Sequence, residues 1–206
     1  MNATLYGIID LGYVQPADLV ERTQQLLDGG VDLLQLRAKN QSESDIIAWA
    51  KLIQPLCKTA GIPFIVNDYP EIAKLVGADG VHIGQDDGTL ADVRAIVGDD
   101  MIVGRSTHSP EQAFAAEQEG FNYIGFGPVY PTPTKAGRPA IGLENIAKVQ
   151  STLQIPVFCI GGIKPENLDQ VIAAGAKSVV IVSGLLCAQN PTATTKAVKE
   201  KLTNNL

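Results

Sequence analysis

The chain has 206 residues, 45% of them hydrophobic and 18% charged, with a formal net charge of −6. This balance excludes a disordered chain and argues against a nucleic-acid partner, which would call for a basic face. No apolar run reaches the roughly 18 residues of a membrane-spanning helix, and the N-terminus lacks the basic and apolar segments of a secretory leader.

In chain order, the expected strands are Leu5–Ile9, Asp32–Leu36, Phe64–Val66, Val81–Ile83, Met101–Gly104, Tyr123–Phe126, Val157–Ile160 and Val179–Val182. They are short, rich in Val and Ile, and apolar on both faces, as strands buried in a parallel sheet are. Amphipathic stretches lie between them. Leu19, Val20, Thr23, Leu26 and Leu27 form one stripe, with Pro16 in its first turn and Gly29 at its end. Ser42-Glu-Ser-Asp45 opens the next helix, and Ser109-Pro-Glu-Gln112 combines a capping serine, a first-turn proline and a reciprocal glutamine. Gly29-Gly30, Gly61, Gly77, Gly120 and Gly175 sit where a left-handed C-cap is expected. The tail from Asn190-Pro191 onward reads as a last helix. Eight strands with interleaved helices over 1–206 predict an α/β fold, a single (β/α)8 TIM barrel in one catalytic domain, with an open doubly wound sheet as the alternative.

Barrel enzymes carry their chemistry at the C-terminal ends of the strands. There the sequence places Gln35-Leu-Arg37-Ala-Lys39, Asn67-Asp68, Gly84-Gln-Asp-Asp87, Arg105-Ser106-Thr-His108, Gly161-Gly162 and Ser183-Gly184. The sixth strand leads into Gly127–Gly142, a loop in which Thr132, Thr134 and Lys135 stand among prolines and glycines. Arg37, Lys39 and Lys135 can supply positive charge to phosphate oxygens, or Arg37 and Lys39 can form rim salt bridges with Asp68 or Asp87. Asp68 and Asp87 suit Mg²⁺, or alternatively cap the following helices, a role that also stays open for Asp86. The glycine turns after the last two strands suit backbone binding of phosphate, or are merely tight. His82 alternates with apolar residues inside a strand and reads as a satisfied core group; the role of His108 is open. Cys57, Cys159 and Cys187 are widely spaced among apolar neighbours. They read as core thiols of a reducing, cytoplasmic compartment, without zinc-ligand spacing. Two anion regions, one metal position and no evident nucleophile imply a phosphorylated substrate whose leaving group is stabilised electrostatically.

Together, Gln35-Leu-Arg-Ala-Lys39, Val66-Asn-Asp68, Gly80-Val-His-Ile-Gly-Gln-Asp-Asp87, Gly127-Pro-Val-Tyr-Pro-Thr-Pro-Thr-Lys135 and Ile160-Gly-Gly-Ile163 resemble the motifs of thiamine-phosphate synthases, in order and over nearly the whole chain. The resemblance implies a transferase of thiamine biosynthesis. It would join a hydroxymethylpyrimidine diphosphate to a thiazole phosphate, carboxylated or not, and release diphosphate by a dissociative route. It further implies that Gln35, Leu36, Arg37, Ala38, Lys39, Asn67, Ser106 and Lys135 hold the pyrimidine diphosphate, with Arg37, Lys39 and Lys135 catalytic. Thr132, Pro133, Thr134, Gly162, Val182 and Ser183 would hold the thiazole phosphate, and Asp68 and Asp87 the cofactor Mg²⁺. The partners are then small-molecule substrates, and a homo-oligomer is compatible with the fold. A thiazole tautomerase or a non-catalytic sensor of thiamine precursors would not require Asn67, Asp68, Asp87 and Lys135 together. Gly184 departs from the alanine common at that position.

Overall fold

The apolar runs become strands because each is short, β-branched or aromatic, and bounded by glycine or polar residues. In the computed structural model, which describes residues 3–132 and 139–205, they are β1 Leu5–Asp10, β2 Leu33–Arg37, β3 Phe64–Asn67, β4 Gly80–Ile83, β5 Ile102–Thr107, β6 Tyr123–Phe126, β7 Val157–Cys159 and β8 Ser178–Ile181. Each pairs in parallel with the next, and β8 returns to β1 through Leu5↔Val179 and Tyr6↔Val180. The barrel is closed, so the open sheet is excluded. β5 runs past the expected Gly104 because Arg105, Ser106 and Thr107 continue its ladder with Ile124, Gly125 and Phe126.

Helices α1 Leu19–Asp28, α2 Glu43–Ala60, α3 Pro70–Val76, α4 Leu90–Val97, α5 Pro110–Glu119, α6 Ile146–Thr152, α7 Leu168–Ala173, α8 Ser183–Leu186 and α9 Pro191–Thr203 occupy the intervals and the tail. Ser42 accepts from the Asp45 amide at the head of α2, and Ser109 from the Gln112 amide at the head of α5. The Gln112 side chain accepts from the His108 amide at 2.8 Å rather than from that of Ser109. Pro16 opens a short 3-10 turn, Pro16–Asp18, ahead of α1. Gly61, Gly77 and Gly120 end their helices in the left-handed conformation. Gly29 does not: its φ is −76°, and Gly30 takes the positive φ of 89° one residue later. No helix among the described residues is long and apolar enough to cross a membrane.

Strand alternation divides the core in two. Ile9, Leu34, Val66, Val81, Val103, Ile124 and Val179 face the helices and form the outer core. Tyr6, Ile8, Leu33, Ile65, Tyr123, Phe158 and Val180 fill the barrel interior. Gly104 gives the aromatic layer its space, since a Cβ there would lie 2.1 Å from Tyr123 Cζ. Tyr6, Tyr123 and Phe158 meet edge to face, with centroids 5.2 to 5.8 Å apart. Cys57 and Cys159 are buried as expected, but Cys187 is exposed because it lies at the surface end of α8.

The opposite end of the barrel is closed by a charge. Asp32 accepts from the Thr4 amide at 2.7 Å and the Leu5 amide at 2.9 Å, and pairs with Lys199 of α9 at 2.6 Å. Burial pushes this carboxyl up, but the Lys199 ammonium and the two amides outweigh it and hold the pKa below the usual carboxylate value. A depressed folded pKa contributes stability above the unfolded pKa and loses it as pH falls through the folded one. Asp32→Asn is therefore expected to destabilise the protein at neutral pH by about 1.5–3 kcal/mol, the scale of a hydrogen bond to a charged group. In chemical denaturation the difference from the unsubstituted protein should shrink below about pH 4. A difference independent of pH would contradict the assignment.

Candidate active site

Above the aromatic layer the interior positions of successive strands turn polar, and two concavities meet there. One is a cleft of about 830 Å³ at the barrel axis, walled by Tyr6, Ile8, Pro128, Ile160, Ile163 and Val182, with Gln35 and His82 in its floor. The other is a polar basin of about 690 Å³ lined by Lys39, Asp68, Asp86, Asp87 and His108. Arg37, Asn67 and Ser106 border both. An apolar slot for a ring thus opens directly onto a charged basin.

The expected cations are held differently from one another. Arg37, at the end of β2, pairs with Asp10 of β1 at 2.7 Å, with side chains only 16% and 3% exposed. The register brings them together, since Asp10 lies opposite Arg37 in the β1–β2 ladder. Asp10 also accepts from the Gly12 amide at 2.9 Å. The anticipated rim pairing of Arg37 with Asp68 or Asp87 is replaced by this buried pair. Lys39 does form the rim bridge, to Asp68 at 3.0 Å, and is itself half exposed. Leu36 and Ala38 turn their side chains into the outer core, so only their backbone faces the rim.

Asp68 and Asp87 do not cap helices. The residue before α3 is Tyr69, without a side-chain cap, and α4 is capped by Thr89 in a reciprocal pair with Asp92. Asp87 instead accepts from the Gly84 amide at 2.7 Å within its own loop. Asp68 adopts a left-handed φ of 67°, a conformation disfavoured outside glycine, with its amide bound to His82 O at 2.8 Å. Burial pushes the Asp68 carboxyl up; Lys39 opposes this, while the hydrogen-bonded and charged Asp87 adds to it. Two carboxylates converging under mutual repulsion suit a cation between them. Among the described residues no group of three or more His, Cys, Asp or Glu could hold a metal ion. The two carboxylates match the one or two that Mg²⁺ takes from protein before completing its shell with water and phosphate oxygens.

The Asp87 loop is anchored by residues to which the sequence assigned no role. Arg105 lies over the Phe121 ring at 5.3 Å and donates to Gly88 O at 2.7 Å and Gln85 O at 3.2 Å. Gln85 donates to Ser106 O at 2.6 Å. His108 contacts Gly127 O at 2.5 Å and so ties the polar basin to the start of the β6–α6 loop.

That loop is fixed to the end of β7. Val129 donates to Ile160 O at 2.8 Å, Tyr130 to Gly161 O at 2.9 Å, and Ile141 to Pro128 O at 2.8 Å. Gly161 is required by the approach: its φ is 98°, and a Cβ would lie 2.4 Å from Pro128 Cα. Gly162, Val182 and Ser183 border the cleft beside it. Ser183 and Gly184 open α8, and the Leu185 and Leu186 amides of its single turn donate to Val182 O at 3.1 and 2.9 Å. A Cβ on Gly184 would lie 2.9 Å from Ile181 Cγ2 and 3.0 Å from Pro165 Cδ, so glycine lets the β7–α7 loop pack closely here. Thr132 is half-buried at the loop's described edge. Pro133, Thr134 and Lys135 lie outside the described residues.

Residues 5–185 match the family model described as thiamine monophosphate synthase. The chain is 44% identical over 184 residues to a thiamine-phosphate synthase of Thermus thermophilus, covering 89% of this chain and 88% of that one. It is 43% identical over 203 residues to one from Thermobifida fusca, covering 98% and 93%. The solved thiamine phosphate pyrophosphorylase of Pyrococcus furiosus superposes with a TM-score of 0.90 at 30% identity, covering 100% of this chain and 98% of that one. On the match of the family model and of these relatives over nearly the whole chain, the chain belongs to the thiamine monophosphate synthase family of transferases.

Proposed function

We propose that the chain carries out the family's condensation by a dissociative, Mg²⁺-assisted route, in one catalytic domain working in the cytoplasm. The observation that carries this is the junction of an apolar cleft with a carboxylate-and-cation basin across Arg37, Asn67 and Ser106. A pyrimidine ring in the cleft places its diphosphate in the basin, against Arg37, Lys39 and, by motif, Lys135. The bond between the pyrimidine methylene carbon and the diphosphate oxygen breaks, and both electrons leave with the diphosphate. The aminopyrimidine ring delocalises the resulting cation. The thiazole nitrogen then donates its lone pair to the methylene carbon, completing thiamine phosphate. Mg²⁺ held by Asp68 and Asp87 would offset the charge that grows on the leaving group.

This chain's residues position and exclude rather than attack. Gln35, Asn67 and Ser106 orient the pyrimidine, with Leu36 and Ala38 contributing backbone alone. Ile8, Ile160 and Ile163 keep water from the cation, which would otherwise be captured as the alcohol. Thr132, Pro133, Thr134, Gly162, Val182 and Ser183 hold the thiazole phosphate opposite.

The test is diphosphate release, which should require both substrates. A thiazole tautomerase or a precursor sensor would release none. Ser183→Ala should raise the apparent KM for thiazole phosphate about tenfold while leaving that for the pyrimidine diphosphate within about twofold, as expected for one hydrogen bond to a charged group. Equal changes in both would move Ser183 out of the thiazole site.

A further inference from the structure

The cleft floor contains a continuous hydrogen-bonded chain that the expected binding residues do not account for. Gln35 Nε2 donates to Tyr6 Oη at 2.5 Å, and Tyr6 Oη meets Tyr123 Oη at 3.0 Å. Tyr123 Oη meets His82 Nδ1 at 3.1 Å, and His82 Nε2 meets Ser106 Oγ at 3.0 Å. All four links are buried. The five residues come from β1, β2, β4, β5 and β6, so the chain crosses the barrel from Gln35 to Ser106.

We propose that Tyr6, Tyr123 and His82 are positioning residues, a one-directional relay that fixes the Gln35 amide and the Ser106 hydroxyl to recognise an aminopyrimidine. This rests on the reading that Gln35 and Ser106 bind the pyrimidine. The direction follows from proton counting. A phenol has one hydrogen to give, and burial pushes both tyrosines well above their ordinary pKa, so both keep it. Tyr6 accepts from Gln35 and therefore donates to Tyr123. Tyr123 in turn donates to His82 Nδ1. A neutral imidazole that accepts at Nδ1 carries its hydrogen on Nε2, and so donates to Ser106 Oγ.

The two ends of the relay are thereby set with opposite polarity. Gln35 presents Oε1 as an acceptor toward the cleft, and Ser106 uses its own hydrogen as a donor. An exocyclic amino group beside a ring nitrogen offers a donor and an acceptor, the complement of that pair. An oxo-pyrimidine, with its ring N–H, offers the reverse. Run backwards, the relay would direct Gln35 Oε1 to Tyr6 and the Ser106 hydrogen to His82, and would favour the oxo form. Burial makes the chain cooperative, and each broken link leaves a buried polar atom unsatisfied.

The sequence holds two histidines, His82 and His108, so ring nitrogens can be followed by long-range ¹H–¹⁵N NMR, with His108→Gln assigning the signals. The unsubstituted protein should show His82 as the neutral Nε2–H tautomer. Tyr123→Phe keeps the aromatic packing and removes one hydroxyl, and should give a mixed tautomer. In the same variant the apparent KM for the pyrimidine diphosphate should rise about tenfold and that for the thiazole phosphate stay within about twofold, a split that loss of packing alone does not produce. An Nδ1–H tautomer, a tautomer unmoved by Tyr123→Phe, or equal KM changes for both substrates would each overturn the relay. Should the unsubstituted protein release no diphosphate, the synthase reading fails, while the tautomer measurements still judge the relay.

Discussion

Asp68→Asn and Asp87→Asn should each lower turnover by about 100-fold or more while leaving the fold intact. Asparagine is the informative replacement at position 68, because the left-handed φ of 67° suits it better than alanine and the change then removes charge alone. The magnitude is that of losing one preorganised electrostatic group at a site of developing charge. It should fall on kcat more than on KM, since the diphosphate charge grows only as the carbon–oxygen bond breaks. The double variant should be little worse than either single one, because both carboxylates act through one ion. Activity should fall in EDTA and return with Mg²⁺. Thermal stability should change little, or rise, because burial disfavours the Asp68 charge more than Lys39 favours it, and Asp87 adds to the burial effect. Wild-type turnover in either variant, or full activity after chelation, would remove the metal from the mechanism.

The architecture was legible because strand length, apolar runs and helix boundaries follow from local chemistry. The eight strands emerged where expected, and only their ends moved, as at β5, where pairing with β6 carried the ladder onward. Rim residues were also legible, since a barrel dictates which end of each strand bears the site. Long-range partners were less so. Nothing in the local sequence says that Arg37 meets Asp10, because that contact depends on the β1–β2 register. Lys39 and Asp68, at the ends of neighbouring strands, did pair as one of the alternatives required. Tyr6 and Tyr123 had no role assigned from the sequence. Their signal was one of parity: Tyr6 shares an interior face with Asp10, and His82 shares one with the cleft, so polar atoms on alternate positions of an otherwise apolar strand mark the barrel axis. His82 was read as a satisfied buried group, and it is one, but its partners are the means by which it serves the cleft.

The buried Asp10–Arg37 pair yields the second large effect, and it separates positioning from stability. Arg37 borders both concavities while Asp10 is nearly inaccessible, so on the proposed reading the carboxylate would act by aiming the guanidinium rather than by touching substrate. Removing one partner of such a pair leaves the other charge less well compensated in a region of low solvent access, at a cost of up to about 3–5 kcal/mol. Asp10→Ala should therefore lower the melting temperature by roughly 10 °C, given about 2–4 °C per kcal/mol for a chain of this size. It should also raise the KM for the pyrimidine diphosphate and lower kcat, together costing about 100-fold or more in kcat/KM, since an unaimed guanidinium no longer meets the leaving group in the right geometry. Stability alone does not distinguish this from a merely structural pair. The double replacement Asp10→Leu with Arg37→Met does, because exchanging both charges for apolar groups of similar size is often neutral. That variant should recover most of the lost stability, short of the hydrogen bond that Asp10 accepts from the Gly12 amide. It should recover none of the activity. Recovery of both would show that the pair serves only the fold, and an Asp10→Ala variant that is stable and fully active would show that Arg37 is aimed by something else.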